Sequence, residues 1–218
     1  MMARKGGTPA PRAVADPPPN SSNWNLPNAL TALRIVMVPF FVWFLWAGGT
    51  HGEDSMPMRW AAVVVFGLAM YTDKLDGDIA RARNLITSFG KIADPIADKL
   101  LTGAAFVVLS MLGELWWWVT IVILVREWGI TIMRFVVIRY GVMAASKGGK
   151  TKTVLQTAAL IALLLPLAPF VGAWWLWFAW VLTALALIVT VVTGIDYVIK
   201  AVQLRNAAVN KAAENEDE

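Results

Sequence analysis

Four aspartates in the stretch YTDKLDGDIARARNLITSFGKIADPIADK, residues 71–99, have the types and spacing to do chemistry. The pattern reads D-x2-D-G-x2-A-R-x8-G-x3-D-x3-D and runs through Asp73, Asp76, Gly77, Ala80, Arg81, Gly90, Asp94 and Asp98. On a helix, Asp73, Asp76, Gly77 and Ala80 fall within about a 100° arc. Gly90, Asp94 and Asp98 step by four and share a face, drifting about 40° per step. Two helices joined by a short turn lie antiparallel, so two pairs of carboxylates face one another. Carboxylates gathered this way repel each other and need a cation. Hard oxygen ligands in that number suit Mg²⁺ or Mn²⁺. A salt-bridge cluster or a solvated loop explains an arbitrary pair of aspartates; this spacing favours metal.

The elements that must position these residues are apolar. Of 218 residues, 58% are hydrophobic and only 16% charged, with 12 tryptophans; ordinary soluble domains carry about a quarter charged residues. The composition points to an integral membrane protein, all-α, because an open strand in lipid leaves backbone groups unpaired. Apolar runs at 28–48, 59–81, 90–112, 116–140, 153–171 and 174–202 are each long enough to span. The expectation is therefore a polytopic membrane protein with six transmembrane helices. A basic, Pro-rich arm at 1–22, expected to be disordered, precedes a six-helix membrane domain at 23–204, and a charged cytoplasmic tail at 205–218 is expected to follow. No cysteine is present, which excludes disulfides, thiolate metal sites and cysteine nucleophiles.

Orientation follows from the basic residues. Arg4, Lys5 and Arg12, then Lys74, Arg81, Arg83 and Lys91, then Lys147, Lys150 and Lys152, then Lys200, Arg205 and Lys211 occupy alternate connections and the two ends. The other connections hold almost nothing positive, with Arg59 set against Glu53 and Asp54. Both termini and the aspartates are thus expected on the cytoplasmic side. Trp46, Trp60, Trp116, Trp117, Trp118, Trp174 and Trp175 fall at the opposite ends as an interfacial belt. Because the net charge of +4 is spread between spans, it reads as topology and not as a nucleic-acid surface.

Further polar residues surround this core. An arginine inside a span is a functional candidate by default, and Arg126 and Arg134 lie within or near the inner half of the fourth run. Lys150 and Lys152 stand in a glycine-rich loop able to fold over a phosphate. Asn28, Thr31 and Arg34 open the first run where the cytosolic headgroup zone begins. Pairing with Glu127, positive-inside topology and helix capping are the plainer explanations of these groups.

The eight-position pattern resembles the signature of the CDP-alcohol phosphotransferases, and all eight positions match. The flanking LPNALTALRIVMVP, the Arg126–Glu127 pair and SKGGKTKTVLQ resemble the phosphatidylglycerophosphate synthase branch of that family. The resemblance implies six membrane helices, a cytoplasmic-side site, a homodimer and a bacterial inner-membrane location. It implies two Mg²⁺ or Mn²⁺ ions held by Asp73, Asp76, Asp94 and Asp98, with Asp98 as general base. It implies CDP binding at Gly77, Ala80, Arg81 and Gly90, with Asn28, Thr31 and Arg34 at the start of the first run placed to line the nucleotide site. The substrates would be CDP-diacylglycerol and glycerol 3-phosphate, drawn from lipid and from water. Arg126, Arg134, Lys150 and Lys152 would take the acceptor's phosphate, a dianion that needs fixed cations. A cardiolipin synthase or a phosphatidylinositol-phosphate synthase would share the metal site and differ in the acceptor pocket. A divalent-cation transporter would need polar residues through the outer half, where Trp and Leu dominate.

Overall fold

The computed structural model describes residues 25–83, 88–137 and 147–216, excepting the surroundings of 80, 81, 83, 88–92, 147, 148, 150 and 208–216. The arm at 1–22 and the candidates Ala80, Arg81, Gly90 and Lys150 therefore lie outside the described set. The described residues are all-helical, with no strand: α1 Leu26–Gly48, α2 Met56–Arg83, α3 Ser88–Met111, α4 Trp117–Val137, α5 Lys147–Leu164, α6 Ala168–Val171 and α7 Trp174–Glu216.

Local sequence accounts for the ends of these helices. Asn25 caps α1, its side chain accepting the Asn28 N–H at 3.0 Å, with a proline in the first turn. Pro166 follows α5 and stops it short of the expected 153–171 run, leaving the separate turn of α6. α7 is 43 residues long and continues unbroken past residue 204 to Glu216. At 1.5 Å per residue that is about 64 Å, roughly twice a bilayer's hydrocarbon thickness.

Among the described residues, two helices, α1 and the Trp174–Ala207 part of α7, are long and apolar enough to cross a membrane by themselves. α2, α3 and α4 carry the charged residues at issue, Asp73 to Asp78, Asp94 to Lys99 and Arg126 to Arg134, within otherwise apolar helices. Large apolar side chains such as Val64, Val125, Trp177 and Ile188 face outward. An outer surface of that kind fits lipid better than water.

α1 packs against α2 and α3, while α4 and α5 pack against α7. Phe41, Leu45, Phe66, Leu101, Phe106, Leu109, Ile123 and Leu160 form the buried core, with the Phe41 and Phe66 rings 5.5 Å apart. Away from the aspartates the bundle is closed by a buried ion pair. Arg59 donates to both oxygens of Glu114 at 2.7 Å, to Leu164 O at 3.0 Å and to Leu163 O at 2.9 Å. It thereby satisfies carbonyls at the end of α5 that no helical N–H reaches. The partner of Arg59 is thus Glu114, 55 positions away, and not the neighbouring Glu53 or Asp54. Gly48 makes room for this joint: a Cβ there would sit 2.9 Å from the Arg59 backbone nitrogen.

Candidate active site

The aspartates are gathered by α1. Arg34, one turn beyond Thr31, is fully buried at 0% exposure. Its Nη1 lies 2.8 Å from Asp73 Oδ1, its Nη2 lies 2.5 Å from Asp76 Oδ2, and its Nε donates to Ala69 O at 3.3 Å. Thr31 donates to Asp94 Oδ1 at 2.6 Å and also lies 3.4 Å from Asp76 Oδ2. Asp73 and Asp76 on α2 and Asp94 on α3 therefore converge on one face of α1. Asp76 is only 3% exposed, a depth at which a carboxylate needs a counter-charge. Arg34 supplies it.

Among the described residues, no three Asp, Glu, His or Cys side chains stand close enough together to hold a metal ion. The donor chemistry nonetheless suits one: Asp73, Asp76 and Asp94 offer hard carboxylate oxygens, each tied to α1 through Arg34 or Thr31. Arg34 and Thr31 each fix one carboxylate oxygen in orientation, as outer-shell partners of metal ligands do.

Asp98, one turn beyond Asp94 on α3, opens onto a cavity of about 1040 Å³. The cavity joins it to Arg126, Glu127, Arg134, Lys152 and Tyr197. Three of the four expected acceptor-phosphate residues thus share a chamber with Asp98, and the fourth, Lys150, lies outside the described set. Arg126 is anchored to α7 through Thr190 O at 3.2 Å and Thr193 Oγ1 at 3.0 Å. Arg134 is more exposed and reaches Tyr197 OH at 3.3 Å, its guanidinium 5.8 Å from the ring centroid. Lys152 is buried, with its Nζ on Glu127 Oε1. Asn28 is buried at the start of α1, and Gly77 lies on α2 next to Asp76.

Several interactions were not expected from sequence. Arg34 was expected near the nucleotide site, with capping and headgroup anchoring as plainer explanations, and not as the partner of Asp73 and Asp76. Glu127 was only the ordinary partner of Arg126. The α7 contribution had no signal, because Thr190, Thr193, Gly194 and Tyr197 read as routine span residues. Gly194 leaves the space that Arg126 fills: a Cβ there would meet Arg126 Cγ at 3.1 Å.

The family model described as CDP-alcohol phosphatidyltransferase matches residues 24–192, which include all four aspartates, Arg126, Arg134 and Lys152. The chain belongs to the CDP-alcohol phosphatidyltransferase family. Among similar members of that family is a probable phosphatidylglycerophosphate synthase of Mycobacterium tuberculosis, 48% identical over 82% of this chain and 82% of its own length. A CDP-diacylglycerol–glycerol-3-phosphate 3-phosphatidyltransferase of Bacillus subtilis is 41% identical over 67% of this chain and 80% of its own. The Escherichia coli protein of that name is 35% identical over 65% of this chain and 77% of its own. Within this phosphatidyltransferase, the matched region takes in the α1–α2–α3 carboxylate locus and the α3–α4–α5 walls of the cavity.

Proposed function

We propose that this phosphatidyltransferase is a CDP-diacylglycerol–glycerol-3-phosphate 3-phosphatidyltransferase, releasing CMP and phosphatidylglycerol phosphate. The observation that carries the acceptor assignment is the single cavity joining Asp98 to Arg126, Arg134 and Lys152. A phosphate dianion needs such fixed cations, and a lipid acceptor without one does not. Relatives that span most of the chain carry the same activity in their names.

In the proposed reaction, Asp98 accepts the proton of the glycerol 3-phosphate 1-hydroxyl. The oxygen so freed forms a bond to the β-phosphorus of CDP-diacylglycerol, and the bond from that phosphorus to the bridging oxygen breaks, with CMP leaving. Asp73, Asp76, Asp94 and Asp98 would hold two divalent ions, Mg²⁺ or Mn²⁺. Such ions polarise phosphoryl oxygens and offset charge on the leaving group. Gly77, Ala80, Arg81 and Gly90, with Asn28 and Thr31, would take the CDP moiety, the glycines and alanine because a small residue admits a nucleotide to the helix backbone. Arg126, Arg134, Lys150 and Lys152 would orient the acceptor through its phosphate.

The reading includes six spans in a bacterial inner membrane, both termini and the site on the cytoplasmic side, and a homodimer. Support comes from the alternation of Lys and Arg along the chain and from tryptophans at the opposite helix ends. A site at that boundary reaches a lipid-borne donor and a soluble acceptor together.

The test is CMP release by detergent-purified protein with CDP-diacylglycerol, Mg²⁺ or Mn²⁺, and one acceptor at a time. Phosphatidylglycerol phosphate made only from glycerol 3-phosphate, and lost in Asp98→Asn, is the expected result. CMP release with inositol phosphate or phosphatidylglycerol instead overturns the acceptor assignment.

A further inference from the structure

We propose that Glu127 is a positioning residue for the acceptor, gathering Lys99, Arg126 and Lys152 into one array that receives the acceptor's phosphate. The proposal rests on the functional reading above and deepens it. Three cations from three helices converge on this one carboxylate. Its Oε1 takes Lys152 Nζ from α5 and Arg126 Nη1 from α4 at 3.1 Å, and its Oε2 lies 3.4 Å from Lys99 Nζ of α3. Arg126 passes the connection on to Thr190 and Thr193 of α7. Helices α3, α4 and α5, which line much of the cavity, are thus tied through a single side chain.

Electrostatics explains why the tie is needed. Lys99, Arg126, Glu127 and Lys152 side chains are 14%, 13%, 12% and 8% exposed, so water screens them little. Cations packed at this depth repel one another and, unpaired, would swing toward solvent. Glu127 holds them in place before any substrate arrives. The cavity still has charge to spare: among the described residues its lining carries five Lys and Arg side chains against the two carboxylates Asp98 and Glu127. An incoming dianion therefore meets cations whose orientation is already fixed, which removes the cost of ordering them at binding. Lys99 adjoins Asp98 in sequence, so the same array sets the phosphate wall in register with the base that must reach the acceptor's hydroxyl.

The experiment is steady-state CMP release by wild type, Glu127→Gln, Lys152→Met and the double variant, each titrated separately with glycerol 3-phosphate and CDP-diacylglycerol. Glu127→Gln is expected to raise the acceptor KM about tenfold or more while the CDP-diacylglycerol KM stays within about twofold. Since part of the effect of Glu127 runs through Lys152, the double variant is expected to raise the acceptor KM by clearly less than the product of the two single penalties. Glu127→Asp, short by one methylene, should give an intermediate acceptor KM, and it stands in should the glutamine variant fail to fold. An acceptor KM unmoved in both Glu127 variants, or penalties that multiply in the double variant, overturns the proposal. Wild-type protein that releases no CMP with glycerol 3-phosphate overturns the functional reading itself, and this inference with it.

Discussion

Arg34 and Asp76 form a buried pair across α1 and α2, Nη2 to Oδ2 at 2.5 Å, with the same guanidinium 2.8 Å from Asp73. One arginine thus sets two of the four signature aspartates, and it lies 39 positions before the first of them. A planar fork can hold two carboxylates at a fixed angle, which an ammonium cannot.

Replacing Arg34 by Met should leave Asp76 and Asp73 without their counter-charge. Removing one partner of a buried pair costs about 3–5 kcal/mol, so thermal unfolding in detergent should shift down markedly. Mn²⁺ or Mg²⁺ should restore part of the loss if the carboxylates take a cation. Arg34→Lys keeps the charge without the fork and should fall between the two. An unfolding temperature unchanged in Arg34→Met would contradict the role assigned to the pair.

Thr31→Val keeps the shape of the side chain and deletes the donor to Asp94. A lost hydrogen bond to a charged group is worth about 1.5–3 kcal/mol, so CMP release should fall by roughly tenfold to a hundredfold. Far-ultraviolet circular dichroism should be unchanged. Thr31→Ser, which keeps the hydroxyl, should recover most of the rate. Equal rates in the Val and Ser variants would show that the hydroxyl orients nothing.

What was legible in the sequence divides along a physical line. Asp73, Asp76, Asp94 and Asp98 announce themselves, because charge is costly in an apolar helix and their spacing puts them on facing sides. The all-helical fold follows from the same apolar background. The roles of Arg34, Glu127 and Gly194 were not legible, because what they do depends on partners in other helices. Arg34 acts 42 positions away on Asp76, and Gly194 matters only because Arg126 passes over it. The pairing of Arg59 with Glu114 was likewise not legible, because it joins residues 55 positions apart. The fifth helix ends at Leu164 and not at 171 for a local reason, the helix-stopping Pro166 inside an apolar run.

Gly194→Val should push Arg126 out of its seat on α7, since even a Cβ there would lie 3.1 Å from Arg126 Cγ. Arg126 then loses its contacts with Thr190 and Thr193, and the acceptor KM should rise about tenfold. Gly194→Ala demands a shift of only a few tenths of an ångström and should act more weakly. The measurement is CMP release against glycerol 3-phosphate concentration. A rise confined to the CDP-diacylglycerol KM would place Arg126 on the wrong substrate.

The Glu114–Arg59 joint makes the protein's acid stability predictable. Glu114 lies in the connection between α3 and α4, and its environment pulls its pKa two ways. Burial pushes the carboxyl up, but hydrogen bonds from His51 and Arg59 and the charge of Arg59 outweigh it, and the net is below the ordinary 4.5. A folded-state pKa below the unfolded one means that the unfolded chain takes up this proton first. The stabilisation from Glu114 is therefore full above pH 4.5 and is lost as the pH falls through the lower folded value. Glu114→Gln should remove this contribution to the acid dependence and lower the unfolding temperature near neutral pH, because Arg59 is left buried without its partner, at a cost of about 3–5 kcal/mol. Thermal unfolding of both proteins in detergent between neutral and acid pH reads the difference. Their curves should lie far apart at neutral pH and draw together as the medium is acidified below the carboxylate range. Curves that remain parallel would mean that the ion pair contributes nothing that titrates.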